Sequence, residues 1–264
     1  MTHSPTPIYP TDAHRAVTEI ATAHFAAQDA VDTILLVNSL ARGQGTPRSD
    51  VDMAVLVKEG VDAAEIQAME TAWAQVRMSH PTVVAFEQSS RFAHIHLDVI
   101  SGHIEYETWD DGGGPDYLEV GVGNQLVYAL PLTGHGAHYR QLQAQWLPYY
   151  AEDLRRSRLA MVRDACLYDL DYVPFFCERE LYFQAFDRLY KAHQEFLQAL
   201  FIARRTYPIA YNKWIHEQVA VQLGLPQVYD ALTQVLAIGR LGSEELNAKA
   251  DLLRGLVAQW GVEA

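Results

Sequence analysis

The chain is poor in cysteine and in basic residues. Its 264 residues include two cysteines, Cys166 and Cys177, whose positions match neither a metal site nor a redox motif. Lysine and arginine number 20 against 33 aspartates and glutamates, which gives a formal net charge of −13. Proteins that bind nucleic acids generally present a basic patch or stripe. Because no useful Lys/Arg cluster occurs here, the composition predicts no nucleic-acid partner.

Long hydrophobic runs are also lacking. No stretch of about 18 apolar residues occurs, so we expect no transmembrane helix and no contact with a membrane. No opening hydrophobic segment follows a basic stretch, so we expect no signal peptide. Together with two isolated thiols, which are typical of a reducing compartment, these absences predict a cytoplasmic protein. The 49% of hydrophobic residues is ample for one large domain or two modest ones.

Hydrophobic periodicity divides the chain into a mixed part and a helical part. The first part is predicted to contain helices near 12–27 and 62–79 and strands near 32–37, 51–57, 82–87 and 94–100. Beyond residue 141 the pattern predicts helices near 141–170, 178–205, 211–223, 225–239 and 243–259. The clearest break is Asp-Asp-Gly-Gly-Gly-Pro at residues 110–115. We therefore predict an α+β fold, with an α/β domain containing a mixed sheet in residues 1–114 and a helical bundle in residues 115–264.

A pair of aspartates opens one of the predicted strands. Residues 35–57 read Leu-Leu-Val-Asn-Ser-Leu-Ala-Arg-Gly-Gln-Gly-Thr-Pro-Arg-Ser-Asp-Val-Asp-Met-Ala-Val-Leu-Val. Side chains alternate between the two faces of a strand, so Asp50 and Asp52 share one face. Two such carboxylates repel each other unless a cation lies between them. They suit Mg²⁺, which usually takes one or two carboxylates together with substrate phosphates.

The loop before the aspartates offers groups that can bind phosphate. It contains Ser39, Gly43 and Ser49, and its backbone N–H groups can donate to phosphate oxygens. A phosphate-binding loop that leads into a metal-binding pair indicates chemistry on a nucleoside triphosphate. Spacing excludes two other phosphate motifs, because Arg48 occupies the place of the third glycine of a dinucleotide fingerprint and no Gly-Lys-Ser/Thr follows.

A later segment, His-Ile-His-Leu-Asp-Val-Ile at residues 94–100, alternates polar and apolar side chains. As a strand it would place His94, His96 and Asp98 on one face. Imidazole and carboxylate groups both bind zinc, so a zinc site is one interpretation. A solvent-facing or supporting role for the two histidines is the interpretation that we favour.

Residues 35–57 resemble the signature of the polymerase-β-like nucleotidyltransferases, which have a Gly-Ser turn, an Ala-Arg-Gly loop and Ser-Asp-x-Asp in a hydrophobic strand. This chain has Asn38 where the family usually has the first glycine. Asparagine is one of the few other residues that tolerate the left-handed backbone region. An α/β domain followed by helices is also similar to the aminoglycoside and lincosamide adenylyltransferases, which modify antibiotics.

The resemblance implies a Mg²⁺-dependent enzyme that uses ATP as substrate. Asp50 and Asp52 would bind the metal ion, and Asp98 would be either a third ligand or the general base for an acceptor hydroxyl. Residues 1–114 would then be the catalytic domain, and residues 115–264 would bind the acceptor. The nucleotide contacts that it implies are Asn38, Ser39, Arg42, Gly43, Arg48, Ser49 and, from the helical half, Lys213.

The expected reaction is transfer of AMP, or of another nucleoside monophosphate, from the triphosphate to a hydroxyl of a small molecule such as an antibiotic, with release of pyrophosphate. One alternative is AMP transfer onto a partner toxin, and another is an inactive nucleotide-sensing protein, for which Asn38 is the hint. Arg188 and His193 have the Arg-x₄-His spacing of some helical ribonuclease domains. Such a spacing arises easily by chance, so we give this interpretation little weight.

Overall fold

A computed structural model of the protein describes residues 7–104, 111–241 and 244–260. The chain forms two compact units, of which the first contains Met1–Ile104 and Val122–Leu147 and the second contains Glu105–Gly121 and Pro148–Ala264. Residues 122–147 therefore group with the first unit, although they follow the predicted domain boundary at residue 114. A mixed sheet and a helical C-terminal region confirm the predicted α+β class.

The first unit combines a sheet with helices. Its elements are α1 (Asp12–Ala26), β1 (Val31–Leu36), α2 (Asn38–Ala41), β2 (Val51–Val57), α3 (Ala63–Ser79), α4 (Pro81–Ser89), β3 (Ile95–Ile100), the π-helix Gly123–Val127, β4 (Leu130–Pro131) and α6 (Ala137–Trp146). The short helix α5 (Leu118–Val122) precedes the π-helix, and all of it but Val122 belongs to the second unit. The sheet order is β3-β2-β1-β4. β1 pairs antiparallel with β2 and with β4, whereas β2 and β3 are parallel.

The core of the first unit follows from the sequence pattern. β2 is almost wholly apolar and buried, which is typical of a strand covered on both faces. α1 begins at the predicted position, because the Thr11 side chain accepts a hydrogen bond from the backbone N–H of His14 as an N-cap. From this helix, Val17, Ala21 and Phe25 enter the core.

One predicted strand is wrong. The segment near 82–87 contains β-branched residues, but it forms helix α4. Pro81 occupies the first turn, where its missing N–H costs nothing, and the His80 side chain accepts a hydrogen bond from the backbone N–H of Thr82. Val83 and Phe86, three residues apart, lie on the buried face. The cap and the three-residue spacing override the strand propensity of the valines.

The second unit is helical. Its elements are α7 (Glu152–Cys177), α8 (Tyr182–Ala203), the π-helix His216–Gln222, α9 (Pro226–Val235) and α10 (Glu245–Trp260). The long helix predicted over 141–170 is wrong, because the chain leaves helical conformation between α6 and α7. Tyr150 lies in this connection, and its backbone N–H donates to the hydroxyl of Tyr207. In the described residues, no helix has the length and apolar character needed to cross a membrane.

Candidate functional site

The turn after β1 has the left-handed backbone that the sequence signature requires. Asn38 has φ 56° and Gly43 has φ 70°, so both residues have a left-handed backbone conformation that residues other than glycine rarely adopt. The backbone N–H of Val37 donates to the carbonyl of Asp52 at 3.0 Å, which joins the turn to β2. The backbone N–H of Gln44 donates to the carbonyl of Ser39 at 2.9 Å and closes the loop. The turn is therefore held directly beside the aspartate pair.

Strand register brings Asp52 and Asp98 to one face of the sheet. In the parallel pair, Asp52 is opposite His96 and Ala54 is opposite Asp98. Val51 and Met53 are buried, as the alternation along β2 predicts. On β3, His96 and Asp98 are exposed, whereas Ile95 and Val99 are buried, which confirms the predicted alternation. His94 precedes the strand, and its Nε2 lies 3.0 Å from the carbonyl of Arg91.

His96 lies close to the first aspartate of the pair. Its Nε2 is 3.7 Å from Oδ2 of Asp50, and the Asp50 side chain is 39% exposed. A protonated imidazole at this distance would form a solvent-screened ion pair. The sequence does not predict that His96 lies opposite Asp52 and near Asp50. The alternation of residues 94–100 predicts which face His96 shares with Asp98. It does not predict how β3 aligns with β2, so it cannot place His96 beside the aspartates.

The candidate metal ligands on this face do not form a group of three. Among the described residues, no three His, Cys, Asp or Glu side chains form a group that could hold a metal ion. Neither the zinc set of His94, His96 and Asp98 nor a three-carboxylate set of Asp50, Asp52 and Asp98 is therefore assembled as a group of three ligands. Mg²⁺ makes a smaller demand on the protein, since one or two carboxylates suffice when phosphates and water complete its shell. The donor chemistry of Asp50 and Asp52 meets that demand.

Other predicted nucleotide contacts of the first unit occupy different surroundings. The Ser49 hydroxyl accepts a hydrogen bond from the backbone N–H of Thr46 at 2.9 Å, so it stabilises the loop itself. Arg48 is exposed and lines a cavity of about 650 Å³, together with Arg91 and His14. Arg42 is half-buried and is the residue that ends α2. Ser39 is half-buried within the same short helix.

Lys213 belongs to the second unit. Its carbonyl accepts a hydrogen bond from Nε2 of Gln218 at 3.0 Å, and its side chain is exposed. The predicted helix near 211–223 is shorter than expected, because its helical part is the π-helix His216–Gln222. Lys213 thus precedes the helix, and its contact with a triphosphate stays a prediction.

Arg188 and His193 do not form an exposed pair. Arg188 forms ion pairs with Asp169 at 2.5 Å and with Asp111 at 3.4 Å. The His193 side chain is buried, and this burial lowers its pKa to about 4, so the imidazole is neutral at pH 7. A ribonuclease needs its histidine within reach of the RNA backbone. The buried position of His193 therefore argues against the ribonuclease interpretation.

The second unit contains a buried polar network that the sequence does not predict. Glu119 is fully buried and accepts hydrogen bonds from Nε of Arg158 at 2.6 Å, from the Tyr150 hydroxyl at 2.7 Å and from Nε2 of Gln198 at 2.9 Å. Nη2 of Arg158 also donates to Oδ1 of Asp116 at 2.7 Å. Burial and the adjacent Glu119 both raise the pKa of Tyr150 far above its ordinary value. These partners lie far apart in the chain, so no local sequence pattern predicts that they meet.

Glu195 is a second buried acid that the sequence did not indicate. It is fully buried in α8, and neither of its carboxyl oxygens has a hydrogen-bond partner among the described residues. Burial first, and the nearby Asp169 second, raise its pKa to about 8. The carboxyl group is therefore largely protonated at pH 7, which avoids most of the cost of a buried, unpaired charge.

Comparison with known proteins does not assign a family. No protein-family model matches the chain, and no curated protein matches it either.

Proposed function

We propose that the protein is a Mg²⁺-dependent nucleotidyltransferase that transfers AMP, or another nucleoside monophosphate, to a hydroxyl of a small molecule. The observation that carries the proposal is the position of Asp52 and Asp98 on parallel neighbouring strands, beside a left-handed turn at Asn38. Asp50 directly precedes the same strand as Asp52. This arrangement supports the proposal because it would combine carboxylates that can bind a metal ion with a loop that can approach phosphates.

In the proposed reaction, the acceptor oxygen forms a bond to the α-phosphorus, and the bond to the pyrophosphate leaving group breaks in line with it. When bound, Mg²⁺ supplies charge neutralisation at the phosphates. Asp50 and Asp52 would hold the ion. Ser39 and the amides of the turn would position the phosphate oxygens, with assistance from Arg42 or Arg48.

Asp98 would serve the acceptor or the metal ion. It aligns with Ala54 rather than with Asp52, an offset of two residues, or about 7 Å along the strands. Its side chain is exposed, so an acceptor hydroxyl can reach it. As a general base, Asp98 would accept the proton that the acceptor hydroxyl loses. As a ligand, it would lean towards Asp50 and Asp52.

A small acceptor agrees with the charge of the chain. The formal net charge of −13 gives nucleic acid no electrostatic attraction, whereas a cationic small molecule is attracted. An antibiotic that carries amino groups is one such acceptor, and pyrophosphate would be the second product.

The test is a mass-spectrometric screen of the purified protein with Mg²⁺-ATP and pools of antibiotics and cell metabolites. The proposal predicts an acceptor that gains the mass of AMP and an equal amount of pyrophosphate. Asp52→Asn must abolish both products, while Asp29→Asn, an exposed carboxylate of the same unit, must leave them unchanged. Repeating the screen with GTP, CTP and UTP identifies the preferred base. Binding of Mg²⁺-ATP without any transfer would instead support the nucleotide-sensing alternative.

A further inference from the structure

The first unit contains a cavity whose lining carries positive charge. Its volume is about 650 Å³, which is within the range of small-molecule sites. The first turn of α1, the end of α4 and the loop before β2 contribute to its walls. Among the described residues that line it are two arginines, Arg48 and Arg91, and no aspartate or glutamate. Because the chain has a formal net charge of −13, the charge of this lining is opposite to that of the protein as a whole.

Both arginines are free to bind an anion. Arg48 and Arg91 are exposed, and within the described ranges neither guanidinium group has a hydrogen-bond or ion-pair partner. Arg77 of the same unit differs, because its Nε lies 2.6 Å from Oε1 of Glu87. Two unpaired guanidinium groups at one cavity, in a chain rich in carboxylates, offer their donors to a ligand from outside the chain.

The α1 wall of the cavity adds a further donor and is fixed to the arginine loop. Ala13 lines the cavity and lies in the first turn of α1, where a backbone N–H has no acceptor within the helix. The helix dipole favours negative charge at this end. Nε2 of His14 lies 3.0 Å from the carbonyl of Ser49, and this hydrogen bond joins the first turn of α1 to the residue after Arg48.

Phe92 gives the same cavity an apolar surface. Its side chain is 63% exposed and lines the cavity beside Arg91. Its backbone N–H donates to the hydroxyl of Ser90 at 3.2 Å, which fixes the turn that carries the ring. An exposed ring leaves apolar area in water, and a ligand that covers it gains free energy. A molecule that combines an anionic group with an apolar ring would therefore use both parts of the lining.

We infer that this cavity binds a small molecule in which an aromatic body carries a phosphate monoester. Such a phosphate has close to two negative charges and three acceptor oxygens, which match two guanidinium groups and the N–H of Ala13 better than a carboxylate does. The inference does not rest on the proposed transfer reaction. It assigns Arg48 to this ligand and leaves Arg42 as the arginine that would assist the triphosphate.

The test is calorimetric titration of the full-length protein at low salt with EDTA present. The probes are phenyl phosphate, benzoate and inorganic phosphate, and we expect phenyl phosphate to bind most tightly. Arg48→Gln and Arg91→Gln remove a charge but keep a polar side chain, so each should weaken phenyl phosphate by about tenfold. Phe92→Ala should weaken phenyl phosphate by about threefold and leave inorganic phosphate unchanged.

The matched control is Arg163→Gln, which makes the same charge change at an exposed arginine of α7 that does not line the cavity. It should bind phenyl phosphate as the wild type does. Asp52→Asn should do so too, because EDTA removes any metal ion from the proposed nucleotide site.

The inference is overturned if phenyl phosphate does not bind at millimolar concentration, if benzoate binds equally well, or if Arg163→Gln weakens binding as much as Arg48→Gln. Loss of binding in Asp52→Asn would also overturn it, since the phosphate would then lie at the proposed nucleotide site. Absence of any transfer activity would not change these expectations, so the two proposals can fail separately.

Discussion

The two units use their polar residues in opposite ways. In the first unit, Asp98 and His96 are exposed on β3 and face solvent, where a ligand can reach them. In the second unit, Glu119 and Arg158 are buried and satisfy each other. Exposed acids held by strand register are available for chemistry, whereas a buried acid and base that are paired by hydrogen bonds cannot lose one partner without leaving a buried charge uncompensated. Substitutions in the two units should therefore separate activity from stability.

The largest effect is expected for the metal pair. Asp50→Ala or Asp52→Ala should lower the transfer rate by at least about 10²–10³-fold, because the phosphates lose their electrostatic stabilisation. Folding should be unaffected, since removal of one of two like charges at the surface relieves repulsion. The rate is measured by pyrophosphate release, and stability by thermal denaturation. Turnover of either variant with Mg²⁺ at the wild-type rate would exclude the proposed metal site.

The second prediction distinguishes the two roles of Asp98. If it is the base, Asp98→Asn should retain its affinity for Mg²⁺-ATP and lose about 10²–10⁴-fold in rate. Calorimetry measures the affinity, and single-turnover kinetics measures the rate. Collapse of nucleotide binding would instead identify Asp98 as a metal ligand, and the base would then be another residue.

The third prediction concerns the buried network of the second unit. Arg158→Met should reduce the free energy of unfolding by about 3–5 kcal/mol, because it leaves buried carboxylates without their cation. The matched control is Arg156→Met, whose ion pair with Asp153 is exposed and should be worth at most about 1 kcal/mol. Urea denaturation measures both. Equal losses in the two variants would show that the buried network does not stabilise the fold more than a surface pair.

The fourth prediction is a pH dependence. Glu195 has a pKa raised to about 8, compared with an ordinary value of 4.5, so between these values the folded state binds more protons than the unfolded state. Stability should therefore fall as pH rises, by on the order of 1 kcal/mol per pH unit. His193, with its lowered pKa, gives the opposite slope below its ordinary value of 6.5. The Glu195 effect is thus clearest between pH 6.5 and 8.

The measurement is a series of urea denaturations across that interval. Glu195→Gln keeps the shape of the side chain but cannot ionise, so its stability should vary less with pH than that of the wild type. Glu244→Gln, which changes an exposed glutamate of the same unit, should behave as the wild type does. Identical slopes in wild type and Glu195→Gln would show that Glu195 does not keep its proton in the folded state.

The local features of the fold could be predicted from the sequence, whereas contacts between distant segments could not. Helix α1, strand β2 and the shared face of His96 and Asp98 could be predicted, because caps and alternation depend on near neighbours. The register that places Asp52 opposite His96 could not be predicted, since it depends on how segments distant in the chain pair. The Glu119 network is the extreme case, because its partners Arg158 and Gln198 are 39 and 79 residues away.

The smallest expected effect is at Asn38, where sequence and structure agree about the backbone. A residue other than glycine with φ 56° costs roughly 1 kcal/mol, so Asn38→Gly should relieve that strain and tighten nucleotide binding modestly. If the asparagine amide donates a hydrogen bond to phosphate, the same substitution should weaken binding by a comparable amount. We expect the weakening, because asparagine both tolerates this backbone and carries a donor that glycine lacks. Calorimetric titration with Mg²⁺-ATP decides between the two signs, and an unchanged dissociation constant would show that residue 38 does not contact the nucleotide.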